Sequence, residues 1–306
     1  MTVLSLQFWN ALRRPPIHHP LFRRVSKSRP VTPPRRLTRI ERIGLALLVI
    51  GLVYGVLRYF AQMIFVFIFF IPLGVTMLYM ALHGTLAGLY WAVRVSGAIT
   101  RERERGIYDL LSTSPYGAFS VSWAICTGCQ YYDQTFNGIG AQRVWYSRIF
   151  FLTLLMLSAV ITLADPRIRS PERFFSVAEL VVILGIAFYI DDIQSTVIGS
   201  LIGLIVPQLS RHALDTRVGA FIGFLLLQVG AYALTFLVGF VLLPQINANL
   251  GVAGWLGVFV LPVQQFAVFF AIRELIVRAL WRLNALLHDG DVSDLDMLTR
   301  GGRLIC

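Results

Sequence analysis

Lysine is almost absent from this chain: Lys27 is the only one in 306 residues. A phosphate-binding loop sets a lysine after a glycine-rich turn so that its ammonium reaches the terminal phosphates. Val25 and Ser26 precede Lys27, and the first glycine is Gly44. The chain therefore has no phosphate-binding loop of its own for ATP, and Schiff-base chemistry has only a tail lysine to use. Charge is scarce too, at 14% of residues against roughly 25% in soluble domains. Three cysteines make no disulfide framework. Cys126 and Cys129 form a C-x-x-C, but a structural zinc needs four ligands and no second pair follows. The pair reads as small, half-buried residues near a membrane surface, and no metal or other cofactor is expected. The five histidines are scattered, and no Gly-x-Gly-Asp or spaced aspartate array supports an intramembrane hydrolase or transferase. No enzymatic activity is expected of the chain.

What replaces charge is apolar residue, 57% of the chain, with a mean hydropathy of +0.70. That composition predicts an all-α integral membrane protein. Residues 1–42 are basic and proline-rich, with Arg13, Arg14, Arg23, Arg24 and Lys27 among ten basic residues, and read as a cytoplasmic tail unable to build a core. Beside a membrane span such a tail fits the positive-inside rule better than nucleic-acid binding. An apolar stretch of 41 residues from Ile43 to His83 is about twice the length that crosses a bilayer. It predicts two spans, roughly 43–69 and 73–98, turning near Pro72-Leu73-Gly74. Further spans are expected at about 144–164, 178–206, 218–243 and 254–281. Six spans thus fill residues 43–281, followed by a cytoplasmic tail, 282–306.

Arginine placement orients them. With both termini inside, 22 of the 27 basic residues fall on the cytoplasmic side, Arg273 counted among them, and only Arg167, Arg169 and Arg173 lie outside. Such retention of cations is the expected bias, and it implies a multi-pass protein of the plasma membrane. Arg58 and Arg94 sit within spans. Gly51/Gly55, Gly84/Gly88, Gly199/Gly203 and Gly219/Gly223 have the G-x-x-x-G spacing that lets helices approach closely.

Two segments carry candidate chemistry. In the fourth span, Asp191 and Asp192 each cost ~2.5–3.5 kcal/mol at a helix centre, so neither can face lipid. They share the span with Gln194. Asp192, Ser195 or Thr196, Gly199 and Gly203 line one stripe, and Arg58 and Arg94 are candidate ion-pair partners. A structural pair and a cargo or proton path are both open on the residues alone. The other segment leaves the second span as Thr100-Arg101-Glu102-Arg103-Glu104-Arg105-Gly106-Ile107-Tyr108-Asp109-Leu110-Leu111, closing at Ser114-Pro115. Arg101 with Glu104 and Glu102 with Arg105 can pair at i,i+3, and Gly106 should break the helix. Ile107, Leu110 and Leu111 then offer one apolar face. A solvated helix end and a short interfacial helix that docks a cytoplasmic partner both fit.

Glu102-Arg103-Glu104-Arg105-Gly106, Asp109-Leu110-Leu111 and Ser114-Pro115 resemble the charged run of type-2 ABC transporter permeases, with Ile107 where that family has threonine. His19-Pro20-Leu21-Phe22-Arg23-Arg24 is similar to the family's pre-membrane segment. The resemblance implies a six-span permease, paired with a second permease chain and a separate ATPase subunit. Glu102 to Gly106, Asp109, Leu110 and Leu111 would form or lead into the coupling helix between spans two and three. The readings from other classes are a secondary transporter coupled through the aspartates and a scaffold subunit of a larger membrane complex.

The topology makes a direct expectation: a reporter fused after Gly106 or at Cys306 reads cytoplasmic, and one inserted between Asp165 and Arg173 reads external. An external signal at Gly106 would mean the first apolar stretch is miscounted.

Overall fold

The computed structural model describes residues 3–13, 22, 64–108, 117–132, 171–210, 212–251 and 255–287. Met1–Lys27 with Ala81–Cys306 form one unit and Ser28–Met80 another; the side-chain packing below belongs to the first. The described residues are helical, with no strand among them. The elements are α1 (Leu4–Arg13), α2 (Ile64–Glu104), α3 (Gly117–Tyr132), α4 (Pro171–Leu209), α5 (Ala213–Phe236), a π-helical turn (Leu237–Leu242), α6 (Leu243–Asn249) and α7 (Trp255–Leu287). Three segments are long and apolar enough to cross a membrane: Val182–Leu209, Leu214–Asn249 and Phe259–Leu287. They match the expected spans at 178–206, 218–243 and 254–281. The expected spans at 144–164 and, before Ile64, at 43–69 lie outside the described residues.

The surface of α5 has the pattern of a helix that spans a membrane. Thr216, Ala220, Phe224, Gln228, Ala231 and Thr235 form its buried stripe, while Val218, Phe221, Ile222, Leu225, Leu226 and Val229 are exposed. A helix of a soluble protein has the opposite pattern. Here the polar residues turn inward and the large apolar ones outward, as lipid requires.

α4 is the centre of the bundle, with every residue from Asp191 to Ile205 buried. Its glycines explain how α2 comes so close. A Cβ at Gly199 would collide with the Gly88 carbonyl oxygen and stand 2.9 Å from the Gly88 Cα. One at Gly88 would strike the Ser195 carbonyl and lie 2.7 Å from Phe224 Cε2, and one at Gly203 would lie 2.8 Å from Val95 Cβ. Gly84/Gly88 and Gly199/Gly203 are thus the two sides of one crossing. Gly219/Gly223 has the same spacing but meets no other backbone: a Cβ at Gly219 would lie 3.2 Å from the Val206 side chain, and one at Gly223 meets nothing within 4 Å.

The structure departs from the sequence expectation in three places. α2 runs without interruption through Pro72-Leu73-Gly74, where a turn was expected; a proline is tolerated in helices with apolar surroundings when local adjustment satisfies the freed carbonyl. The tail expected to have no core role begins with α1, whose Phe8, Trp9 and Leu12 are buried. Phe8 lies edge-on to Trp281 at 4.8 Å and tilted to Trp123 at 6.0 Å. The first turn of α1 receives the Glu274 carboxylate, with Leu4 N donating to Oε1 at 2.6 Å and Ser5 N to Oε2 at 3.3 Å. A carboxylate there satisfies orphan amides and the positive end of the helix dipole. Finally, α3 is a buried helix where only a connection was expected. Cys126 and Cys129 are both buried within it and form no disulfide, rather than half-buried at a surface, and Gln130 Nε2 donates to Ser200 Oγ at 2.7 Å.

The π-helical turn follows from Pro244. Proline has no N–H to give Phe240, and Leu243 N bonds instead to the Val238 carbonyl, five residues back. Gly239 O, within that turn, accepts from Gln265 Nε2 at 3.1 Å.

The glycine crossing predicts contrasting effects of the smallest substitution. Gly199→Ala should lower stability by about 1–3 kcal/mol through overpacking, whereas Gly223→Ala, in open space, should be neutral or stabilising by up to ~1 kcal/mol. Thermal melting of the two purified variants checks this.

Candidate functional site

Asp191 is held by a residue the sequence reading placed on the cytoplasmic side. Arg273, on α7, is fully buried, and its Nη1 donates to Asp191 Oδ1. Its Nη2 donates to Ser195 Oγ at 2.5 Å and Gln228 Oε1 at 3.2 Å. The guanidinium carbon lies 5.5 Å from the Tyr232 ring centroid and 5.3 Å from that of Phe269. Gln228 Nε2 donates onward to Tyr232 OH at 2.9 Å, Thr85 Oγ1 at 3.0 Å and Ser195 Oγ at 3.2 Å. Tyr232 OH donates to Asp191 Oδ1 at 3.0 Å. One polar cluster therefore joins four helices: Thr85 from α2, Asp191 and Ser195 from α4, Gln228 and Tyr232 from α5, and Arg273 from α7.

Each position follows from local helix geometry. Asp191 and Ser195 are four residues apart, as are Gln228 and Tyr232, so each pair shares one helix face. Gly84 leaves the room Asp191 needs, because a Cβ there would collide with Asp191 Oδ2 and stand 3.1 Å from the Asp192 Cα. Asp192, one residue on, turns to a different neighbour, and its Oδ1 lies 3.4 Å from His83 Nδ1. The two adjacent aspartates are thus unlike: one faces a permanent cation, the other an imidazole whose charge depends on protonation.

Of the expected partners, Arg94 bonds to the Tyr90 hydroxyl on its own helix and lies 5.4 Å from that ring centroid. Arg58 is outside the described residues. Gln194 is fully buried, and among the described residues neither its Nε2 nor its Oε1 has a hydrogen-bond partner. Among the described residues no group of three His, Cys, Asp or Glu could hold a metal ion.

The charged run at the end of α2 is partly turned inward. Gly106 has φ +69°, the left-handed conformation that glycine supplies at a helix C-terminus, and its N–H bonds to Arg103 O at 2.8 Å. Glu102 and Arg105 pair at 2.9 Å; Arg101 and Glu104 form no ion pair among the described residues. Arg103 donates to the Pro207 carbonyl and to Gln208 Oε1 at the end of α4, and its guanidinium lies 4.6 Å from the Tyr108 ring centroid. Tyr108 OH meets Ser122 Oγ of α3 at 2.8 Å. Arg103 is thus a clasp between helix ends, placed to favour the negative end of the α4 dipole. Glu104 and Arg105 remain exposed, while Asp109, Leu110 and Leu111 lie outside the described residues.

No family model, no curated protein and no solved structure matches the chain.

The sequence reading missed Arg273, Gln228, Tyr232 and Thr85. A signal for two of them was present: Gln228 and Tyr232 are spaced i,i+4 in an otherwise apolar span, and Arg273 stands within the stretch 254–281 rather than beyond it.

Removing one side of the buried pair should be costly and removing both less so. Arg273→Leu leaves Asp191 with no cation and should lower stability by about 3–5 kcal/mol. Arg273→Leu with Asp191→Leu should recover part of that loss, read as a coupling energy in a double-mutant cycle of thermal unfolding.

Proposed function

We propose that the chain is the membrane-spanning subunit of an ATP-binding cassette transporter, paired with a second permease chain and driven by a separate ATPase subunit. The observation that carries this reading is the charged run itself. Glu102-Arg103-Glu104-Arg105-Gly106 sits where α2 ends, stopped by Gly106, with Glu104 and Arg105 exposed. Arg103 ties the same point to the end of α4. A force applied there by a cytoplasmic partner enters two helices at once. α2 and α4 are then held together at the glycine crossing and at the polar cluster, so the displacement reaches α5 and α7 as well. Movement of packed helices as a block is the ordinary form of such a transition. The run thus serves as the contact with the ATPase, and the multi-pass bundle lies in the plasma membrane with both termini cytoplasmic. Energy must come from the partner, because Lys27 cannot serve in a phosphate-binding loop.

The Asp191–Arg273 pair weighs against a secondary transporter coupled through Asp191. A carboxylate that neutralises a buried guanidinium cannot bind and release a proton without leaving that cation uncompensated.

Affinity purification of the tagged chain from the cells that express it, with assay of the copurifying protein for ATP hydrolysis, tests the proposal. Glu104→Arg should leave the permease in the membrane at normal level yet reduce copurification of the ATPase by reversing charge at the contact. Arg103→Ala should leave copurification in place and uncouple ATP hydrolysis from transport. Normal copurification and coupling in both variants, or ATP hydrolysis by the purified permease alone, would overturn the reading.

A further inference from the structure

We propose that α1 is a detachable strap, seated in a helix-binding groove between α3 and α7 and able to leave it while the rest of the bundle stays folded. Ser5, Phe8, Trp9 and Leu12 are buried, at the i, i+3, i+4, i+7 spacing with which an amphipathic helix lies in a groove. α7 holds one end of the strap. Glu274 receives the Leu4 and Ser5 amides, and Trp281 lies edge-on to Phe8 at 4.8 Å. α3 holds the other end. Trp123 is tilted against Phe8, Tyr131 OH donates to the Arg13 carbonyl, and Phe22 lies edge-on to the Tyr131 ring at 6.0 Å.

Two features make this docking reversible. The first is that Glu274 keeps a cation when α1 leaves, since Arg278 Nε lies 3.6 Å from its Oε1. Losing a partner is most costly where it strands a buried charge, as it would for Asp191 or Arg273; Glu274 is spared that. The second is Trp281 Nε1, which is buried and has no hydrogen-bond partner among the described residues. An unpaired buried donor destabilises the docked state, and the penalty lifts once α1 moves off the indole and water reaches it. Burial of Phe8, Trp9 and Leu12 is thus opposed by a cost present only while α1 is seated.

Release acts on α3. At 16 residues it is too short to cross a bilayer by itself and depends on its neighbours for its place. Without the strap it loses the contacts of Trp123 and Tyr131, and keeps Tyr108 OH with Ser122 Oγ and Gln130 with Ser200. α5 is held by the cluster around Arg273, whose hydrogen bonds to Asp191, Ser195 and Gln228 do not involve α1. α3 is therefore the helix that loosens, and α5 is the one that does not. The inference rests on this docking alone, so it stands or falls apart from the transport reading.

Hydrogen–deuterium exchange of the full chain in detergent, read by mass spectrometry, tests this. In the unaltered chain α1 should exchange faster than α4, through a local opening that does not require global unfolding. Phe8→Ala with Leu12→Ala should raise exchange in α1 and α3 by at least ~10-fold, or ~1.4 kcal/mol, and leave α5 as it was. A synthetic peptide of residues 1–13 should restore protection of α3 in that variant, and the same peptide carrying both alanines should not. Glu274→Gln keeps an acceptor without the charge and should loosen α1 and α3 in the same pattern to a smaller degree. Thermal melting establishes that each variant is folded, and Glu274→Gln serves if the double alanine variant is not. Four results would each overturn the proposal: α1 exchanging only at the rate of α4, α3 unchanged when α1 loosens, an equal rise in α5, or no effect of the unaltered peptide on α3.

Discussion

A guanidinium cannot shed its proton inside a protein, and a buried one must be surrounded by acceptors. Arg273 is such a group. Asp191 supplies the opposite charge, and Ser195 and Gln228 supply oxygens. Tyr232 and Phe269 turn their rings toward it. These groups come from α4, α5 and from α7 itself, so meeting the needs of one side chain fixes the mutual placement of three helices. Gln228 extends the arrangement to α2 through Thr85. Even the absence of a side chain at Gly84 belongs to it, since Asp191 Oδ2 occupies the space a Cβ would need.

α2 and α4 are joined a second time, in a different chemistry. The glycine faces let their backbones touch near Gly88 and Gly199, and Arg103 holds their ends at Pro207. Gly199 and Pro207 are eight residues apart, about 12 Å along a helix. Two attachments at that separation resist both sliding and scissoring. α2 and α4 should therefore respond to a load at the charged run as a single member, with α3 braced against both through Tyr108 and Gln130.

The elements visible in the sequence were those that announce themselves locally. The apolar stretches gave α4, α5 and α7 to within several residues, Gly106 marked the end of α2, and the spacing of Glu102 and Arg105 foretold their ion pair. The cost of placing Asp191 in lipid required a partner, but nothing local said which. Arg273 is 82 residues away and was counted with the surface cations, because a rule about retained charge treats every arginine as solvated. α1 was hidden by the prolines and arginines that follow it, although Phe8, Trp9 and Leu12 already offered an apolar face. α3, at 16 residues, is shorter than the ~20 that cross a bilayer and so fell below the length on which the search for spans relied. The glycine pairs show the same limit: four residues of spacing cannot tell Gly199, pressed against another backbone, from Gly223, which faces nothing.

Arg273 and Glu274 are consecutive, yet they serve different neighbours: Arg273 the cluster around Asp191, Glu274 the amides of Leu4 and Ser5. Adjacent side chains on a helix point about 100° apart. α7 is consequently indexed like a key with two teeth. It can lean or shift along its length with its partners, but any roll about its own axis would strand a buried cation and uncap α1 at the same moment. Whatever motion this bundle performs, rotation of its last helix is the degree of freedom it has given up.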